Sequence, residues 1–231
     1  MYGRNTVREA LRGRRAVLEL WAGERAAATL DWLAEGPRVQ VRRERELTEA
    51  AGSPDHQGVV AWCEPYRYAD AWALAAGSTP FVVCLDQVTD PHNLGAVVRS
   101  AAAAGASGVV VPAHGSVRVT PAVARSSAGA VEHFPVAVVP NLARYITDVK
   151  GPGLWAYAAV ADGGATIWET DLSGGVLFVF GSEGKGVRPL VRRACDATVG
   201  IPMVGQVESL NVGVAAAVTM FETLRQRRTP E

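Results

Sequence analysis

The sequence predicts an α/β fold in which a small α/β unit precedes a larger domain built on a mostly parallel sheet. From residue 81 onward, short apolar runs alternate with alanine-rich segments. These runs are apolar at consecutive positions, as in strands that are buried on both faces of a parallel sheet. A Gly-Ser-Thr-Pro stretch at 77–80 is typical of a linker. We therefore predict two domains, residues 1–76 and 77–231.

The first domain shows short elements of both kinds. Thr6 and Glu9 have the spacing of a capping box, which predicts that a helix begins there. Periodicity then predicts strands at 17–21, 39–41 and 58–62, a helix at 26–33 and a charged helix that ends near residue 51.

The second domain shows five apolar runs that predict strands. They lie at 81–85, 109–111, 136–139, 155–159 and 176–180. Near the C-terminus an apolar stripe at helical spacing is formed by Val214, Val218, Phe221 and Leu224.

Composition excludes several classes of protein. The chain has 231 residues, of which 48% are hydrophobic and 20% charged, as in an ordinary globular protein. No apolar run has the length of a membrane span, and the first residues lack the apolar stretch of a secretion signal. We therefore expect a cytoplasmic protein without a membrane partner. The net charge of zero argues against a protein that coats nucleic acid indiscriminately, although local arginine clusters can still contact phosphates.

The metal-binding residue types show no ligand pattern. Three cysteines are an odd number without paired spacing, so they predict neither a disulfide framework nor a zinc site. Cys84 lies inside an apolar run and is expected to pack as a small hydrophobic residue. His92, His114 and His133 have no ligand spacing either, so no metal is expected.

Three short segments of the second domain carry the functional signal. They are 93–99 (NLGAVVR), 181–186 (GSEGKG), and 201–203 (IPM) continuing to 209–212 (SLNV). Each also has a purely structural interpretation: Asn93, Ser209 and Asn211 can cap helices, Arg99 can be a solvated arginine, and the glycine segment can be a tight connection. The glycine segment matches neither a phosphate loop nor a dinucleotide fingerprint.

Together, in this order, the three segments resemble the motifs of the SpoU-type RNA ribose methyltransferases. The resemblance implies transfer of a methyl group from S-adenosylmethionine to a ribose 2′-hydroxyl. It also implies a homodimer, and a C-terminal trefoil knot formed from about residue 178 onward. In the first domain, Gly3 to Asn5 and His56 to Gly58 resemble the ribosomal-protein-like RNA-binding extension that some members carry.

The resemblance also implies a role for individual residues. Arg99 activates the ribose hydroxyl and Asn93 supports it, Glu183 belongs to the active site, and Ser209 and Asn211 line it. Backbone around Gly181, Ile201 and Leu210 holds the cofactor. The family commonly has a second serine where this chain has Gly213. In the first domain, an arginine cluster is expected to contact RNA: Arg12, Arg14 and Arg15.

Physical chemistry limits the mechanism that the resemblance implies. Arg99 stays protonated, so it can hold a phosphate and stabilise a developing alkoxide more readily than it can act as a base. Glu183 and Asn93 are expected to orient Arg99. The N-terminal extension favours a guanosine of 23S ribosomal RNA as the target, with transfer RNA as the alternative. Two other classes stay open at this point, a non-catalytic RNA-binding protein of ribosome assembly and an unrelated nucleotide-dependent α/β enzyme.

Overall fold

The computed structural model describes residues 1–161 and 164–228, which pack into two compact units. The N-terminal unit comprises residues 1–67 and 118–134. The C-terminal unit comprises 68–117 and the chain from residue 135 onward. Segment 118–134 thus belongs to the N-terminal unit, although it lies in sequence between two strands of the other one.

Both units contain helices and strands. The strands are β1 (Val17–Ala22), β2 (Val39–Val41), β3 (Val59–Cys63), β4 (Phe81–Asp86), β5 (Gly108–Pro112), β6 (Val136–Val139), β7 (Leu154–Ala159), β8 (Ala165–Thr166), β9 (Gly175–Gly181) and β10 (Ala197–Gly200). The helices are α1 (Arg4–Arg12), α2 (Glu24–Thr29), α3 (Glu44–Ala51), α4 (Ala71–Leu74), α5 (Pro91–Ala104), α6 (Pro121–Ser126), α7 (Leu142–Val149), α8 (Pro189–Ala194) and α9 (Val212–Arg228). In the described part of the chain, no helix is both long enough and apolar enough to cross a membrane.

The N-terminal unit is built on a three-stranded sheet in the order β2-β1-β3, in which β2 is parallel and β3 antiparallel to β1. Its core is made by apolar side chains of the sheet and of the helices packed on it, among them Val7, Leu20 and Val59. The capping box predicted at Thr6 is wrong: α1 begins earlier, after Gly3, and Thr6 is buried inside it. The predicted helix at 26–33 is divided, because Leu30 has a non-helical backbone and a short 3-10 turn follows it.

The C-terminal unit contains a seven-stranded sheet in the order β6-β5-β4-β9-β7-β10-β8. Every pairing in it is parallel. All six residues of β4 are buried, as expected for a strand covered on both faces. The predicted α/β fold with a mostly parallel sheet is confirmed. The two strands beyond β7, β8 and β10, were not predicted.

Helices α5 and α9 pack against each other in the C-terminal unit. The buried face of α9 includes Ala216 and Met220. The apolar stripe predicted on this helix is therefore not its buried face, since Val214 is 49% and Phe221 48% exposed. Most of the residues that α9 buries are small or polar, such as Gly213, Thr219 and Thr223, so hydrophobicity alone selected the wrong face of this helix.

Candidate functional site

The three motifs follow the carboxyl ends of three parallel strands in the C-terminal unit. Segment 93–99 comes after β4, the glycine segment after β9, and the third motif after β10. Strands β4 and β9 are neighbours, with Asp86 opposite Gly181. Because parallel strands end at the same edge of a sheet, the motifs meet there, which is where open α/β sheets bind ligands.

Asn93, Glu183 and Asn211 form one hydrogen-bonded cluster, named here the amide–carboxylate cluster. The Nδ2 group of Asn211 donates to Glu183 Oε1 at 2.6 Å and to Asn93 Oδ1 at 2.8 Å. The Nδ2 group of Asn93 donates to the same Glu183 oxygen at 3.3 Å. Three residues predicted from three separate motifs are thus in direct contact, and each one limits the rotation of the other two.

Helix capping accounts for Asn211 but not for Asn93. Helix α5 is capped by Asp90, whose side chain accepts from the backbone N–H of His92, so the capping interpretation of Asn93 is wrong. Asn93 lies inside the first turn, and its amide is available to the cluster. Asn211 does cap α9, since its Oδ1 accepts from the N–H groups of Gly213 (2.9 Å) and Val214 (3.3 Å). Its Nδ2 group points into the cluster at the same time.

A cavity of about 520 Å³ opens beside the cluster in the C-terminal unit. It is lined by all three predicted cofactor-binding residues, Gly181, Ile201 and Leu210, and also by Glu183 and Ser209. Neither Asn93, Asn211 nor Arg99 is part of its lining. The cavity therefore has the predicted cofactor residues in its wall and shares Glu183 with the amide–carboxylate cluster.

Position 181 can hold only a glycine, because the backbone of the loop that follows lies against it. A Cβ atom at this position would lie 1.9 Å from the carbonyl carbon of Gly186 and 2.2 Å from the backbone nitrogen of Val187. The loop after β9 thus folds back onto its own start. Gly213, which stands at the position of the family serine, is also closely packed: a Cβ there would lie 3.2 Å from Ala96 Cβ of α5.

An ion pair that the sequence interpretation missed joins the end of β4 to the chain just after the glycine segment. Asp86, the last residue of β4, is fully buried, and its carboxylate accepts from the Nε of Arg188 at 2.9 Å and from the backbone N–H of Arg188 at 2.8 Å. The only available signal was an acidic residue that closes an apolar run and an arginine just after the glycine segment.

Arg99 stands apart from the cluster. It is exposed on α5, and within residues 1–161 and 164–228 no hydrogen-bond or ion-pair partner contacts its side chain. It lies six residues beyond Asn93, about 9 Å further along the helix axis. Glu183 and Asn93 bond to each other and to Asn211, and neither bonds to Arg99 within the described residues, so their orienting role stays a prediction.

The three arginines predicted to contact RNA lie in the N-terminal unit and differ in their contacts. Arg12 forms a two-bond pair with Glu35, at 2.9 Å for each bond. Arg15 forms a shorter one with the buried Glu132, at 2.7 and 2.8 Å. Arg14 is exposed and has no such partner in the part of the chain that the structure describes.

No metal centre is formed by the described residues, since none of their His, Cys, Asp and Glu side chains gather in groups of three or more that could hold an ion. His133 contacts Glu9 at 3.0 Å in the N-terminal unit. Cys84 is buried, as expected for a small hydrophobic residue, and burial raises the pKa of its thiol well above its usual value.

Family comparisons account for most of the chain. A model of the SpoU rRNA Methylase family matches residues 80–221. A second model, RNA 2'-O ribose methyltransferase substrate binding, matches residues 1–69. The two matches divide the chain close to the predicted linker.

Individual relatives also match over most of this chain. The chain is 45% identical over 201 residues to a 23S rRNA (guanosine-2'-O-)-methyltransferase of Xanthomonas campestris, covering 82% of this chain and 79% of that protein. Among solved structures, the SpoU methyltransferase AviRb of Streptomyces viridochromogenes, in complex with AdoMet, superposes with a TM-score of 0.84 at 25% identity over 100% of this chain and 91% of that one. An AdoMet-bound rRNA methyltransferase of Sinorhizobium meliloti gives a TM-score of 0.81 at 25% identity, covering 99% and 87% of the two chains.

Proposed function

The chain belongs to the SpoU rRNA methylase family, and from this premise we propose that it methylates the ribose 2′-hydroxyl of a guanosine in 23S ribosomal RNA. S-adenosylmethionine is the methyl donor, as in the AdoMet-bound structures that the chain resembles. The observation that carries the proposal is the amide–carboxylate cluster beside the cavity, because it joins the three motifs in one place. Because ribosomal RNA is the proposed target, we expect the protein to act in the cytoplasm.

The cavity suits the proposed cofactor in size and in chemistry. Its volume of about 520 Å³ lies within the usual range for small-molecule sites, roughly 300–1,000 Å³. Ile201 and Leu210 offer apolar side chains and backbone polar groups to an adenine ring, while Glu183 and Ser209 offer polar groups. When bound, S-adenosylmethionine supplies an electrophilic methyl carbon.

The wall of this cavity can be tested at Gly181. We expect Gly181→Val to abolish binding of S-adenosylmethionine, because the added side chain must displace the loop that Gly186 and Val187 form. Isothermal titration of the folded variant measures this. Normal affinity in a variant with an unchanged circular-dichroism spectrum would place the cofactor elsewhere.

Our proposed mechanism gives each of the predicted catalytic residues a position and a task. Arg99 holds the phosphate beside the target ribose and stabilises the negative charge that develops on the 2′-oxygen, while the proton leaves to that phosphate or to water. The amide–carboxylate cluster keeps Glu183 in one orientation at the cavity wall, and Ser209 and Asn211 hold the ribose and the third motif. Alignment of the 2′-oxygen with the methyl carbon supplies much of the rate.

A homodimer explains the exposed apolar stripe on α9. Val214 and Phe221 lie two turns apart on this helix, and both are about half exposed. We propose that a second copy of the chain covers them and that Arg99 acts within the dimer. Light scattering of the wild type should give the mass of two chains, and Phe221→Glu should shift it towards one. A monomeric wild type at micromolar concentration would contradict this assignment.

The C-terminal segment is proposed to form the family's trefoil knot. In support, β9 lies between β4 and β7 in the sheet, β10 lies beyond β7, and the chain then returns to pack α9 against α5.

RNA recognition is assigned to the N-terminal domain, residues 1–76, and methyl transfer to residues 77–231, of which 162–163 and 229–231 lie outside the described residues. The match of residues 1–69 to a substrate-binding model supports this division. Among the predicted RNA-binding arginines, Arg14 has a guanidinium with no partner among the described residues, whereas Arg12 and Arg15 are held by carboxylates.

Two measurements test the function as a whole. Titration with S-adenosylmethionine should show binding, and preference for ATP or NAD would favour an unrelated nucleotide-dependent enzyme. Incubation of the protein and cofactor with unmodified 23S ribosomal RNA, followed by mapping of 2′-O-methyl groups, should show one modified guanosine. Methylation of transfer RNA alone would contradict the proposed substrate.

A further inference from the structure

We propose that the ion pair between Asp86 and Arg188 is a latch that fixes the loop at 182–187, so that these two residues position Glu183 and one wall of the cavity. The inference rests on the proposed function for its catalytic consequence. The structural part, that the pair holds the loop in place, is independent of which molecule the cavity binds.

Both carboxylate oxygens of Asp86 are occupied by a single residue. Oδ2 accepts from the backbone N–H of Arg188 at 2.8 Å. Oδ1 accepts from the Nε of Arg188 at 2.9 Å, with Nη2 at 2.7 Å from the same oxygen. A main-chain bond and a two-pronged side-chain contact together define both the position and the direction of the chain at Arg188.

Arg188, which the ion pair holds, ends the loop at 182–187, and the start of this loop is fixed as well. Asp86 lies opposite Gly181 across the β4–β9 ladder, and the N–H of Gly186 donates to Ser182 O at 2.8 Å. The backbone of Gly186 fills the space that a Cβ of Gly181 would need. The two ends of the loop therefore lie side by side, and Glu183 projects from the short segment between them.

The free-energy balance of this ion pair indicates that it orients the loop more than it stabilises the fold. The side chain of Asp86 is 0% exposed, and removing a carboxylate from water costs much of what its ion pair returns. Well-packed apolar residues would stabilise such a position equally well. They would leave the loop without directional bonds, however, whereas the charged pair holds Arg188 in one orientation.

The C-terminal unit also contains a matched control pair, Lys150 and Asp196. Lys150 Nζ lies 2.9 Å from Asp196 Oδ1, and the N–H of Ala156 donates to Asp196 Oδ2, also at 2.9 Å. Like Asp86, Asp196 thus accepts one cationic side chain and one backbone N–H. It precedes β10, whereas the cavity is lined from the carboxyl end of that strand.

Loop release is measured without any cofactor, by tryptic cleavage after Lys185, which is exposed in the loop. In Asp86→Asn we expect cleavage at this bond to be about tenfold faster than in the wild type, because an amide gives up one of the charged contacts and the loop opens more often. Asp196→Asn should cleave at the wild-type rate. Equal rates in Asp86→Asn and the wild type would overturn the latch.

Cofactor affinity and kinetics test the positioning role. Well below the unfolding temperature of each variant, Asp86→Asn should bind S-adenosylmethionine about tenfold or more weakly and show a raised KM for it, since a small displacement of a positioned wall has large effects. RNA affinity should stay unchanged. Asp196→Asn should match the wild type in all three. A purely structural pair would lower only the unfolding temperature, and that result would also overturn the proposal.

Arg188→Lys provides the second variant, which keeps the charge and the backbone bond but loses the two-pronged contact. Its cleavage rate and its affinity for S-adenosylmethionine should both lie between those of the wild type and those of Asp86→Asn. If Asp86→Asn does not fold, the same two measurements on Arg188→Lys test the latch. Wild-type behaviour of Arg188→Lys in both assays would then reject the latch. Failure of the wild type to bind S-adenosylmethionine would reject the proposed function instead. The cleavage assay would still test whether the ion pair holds the loop at 182–187 in place.

Discussion

The paired arginines of the N-terminal unit contrast with one arginine of the C-terminal unit, Arg99. In the N-terminal unit, Arg12, Arg15 and Arg125 each contact a carboxylate of the same unit, at 2.9, 2.7 and 3.3 Å. In the C-terminal unit, Arg99 has no such contact within the described residues. A guanidinium that already donates to a carboxylate must give up that bond to hold a phosphate, whereas an unpaired one need not. Whether an arginine contacts a carboxylate therefore indicates its role better than whether it lies near other arginines in the sequence. Paired arginines are structural, and those without a carboxylate partner are available to a substrate.

The largest expected effect is the loss of the Arg15 pair. Arg15→Ala leaves Glu132, whose side chain is 1% exposed, without its cation. Removing one partner of a buried pair costs about 3–5 kcal/mol, so we expect the free energy of unfolding to fall by that order. Urea denaturation followed by circular dichroism measures the change.

A double variant sharpens the result for Arg15. Replacing both partners, Arg15→Met with Glu132→Leu, removes the buried charge as well and should recover most of the lost stability. If Arg15→Ala instead lowered RNA affinity with unchanged stability, Arg15 would belong with the RNA-binding residues.

Next in size is the effect of removing Arg99, which has no ion-pair partner within the described residues. Arg99→Ala should lower the rate of methyl transfer by roughly a hundredfold or more, the usual scale for the loss of one electrostatic stabiliser. Arg99→Lys should restore little, because an ammonium group lacks the planar fork that holds two acceptors together. Single-turnover methylation of purified RNA is the measurement.

Stability and cofactor affinity are the controls for Arg99. Both should match the wild type, since the Arg99 side chain has no hydrogen-bond or ion-pair partner among the described residues. A near-normal rate in the alanine variant would move the activating role to Glu183 or Asn211.

The smallest effects separate Arg14 from its paired neighbour Arg12. Arg14→Ala should weaken RNA binding uniformly across sequences and lower the salt slope of the binding constant by about one. Arg12→Ala should change RNA affinity by less than about twofold, because its exposed pair with Glu35 is already formed. Binding titrations at several salt concentrations compare the two, and a larger effect for Arg12 would reverse the assignment.

The Arg12 pair also predicts a small dependence of stability on pH. The hydrogen bond from Arg12 holds the pKa of Glu35 below its usual value. A lowered pKa in the folded state means that this contribution is present above the usual glutamate pKa and is lost as the pH falls through the folded value. The variant Glu35→Gln should therefore lose part of the acid dependence of the unfolding temperature.

The sequence by itself determined the central strands, and it predicted the three residues that meet in the amide–carboxylate cluster. The runs that form β4, β5, β6, β7 and β9 are continuous and apolar, because strands covered on both faces admit few polar residues. The motif residues Asn93, Glu183 and Asn211 were predicted from the resemblance of their three segments to the motifs of the SpoU family. Strands β8 and β10 escaped prediction because they are short and at most one residue in each is fully buried.

Only the tertiary structure decided what those residues contact. It assigned the cap of α5 to Asp90, brought Asn93, Glu183 and Asn211 into contact, and left Arg99 without a partner within the described chain. It also paired Asp86 with Arg188, residues 102 positions apart. The physical reason is that hydrogen bonds and ion pairs act over a few ångströms in space, whereas a sequence pattern registers only neighbours along the chain.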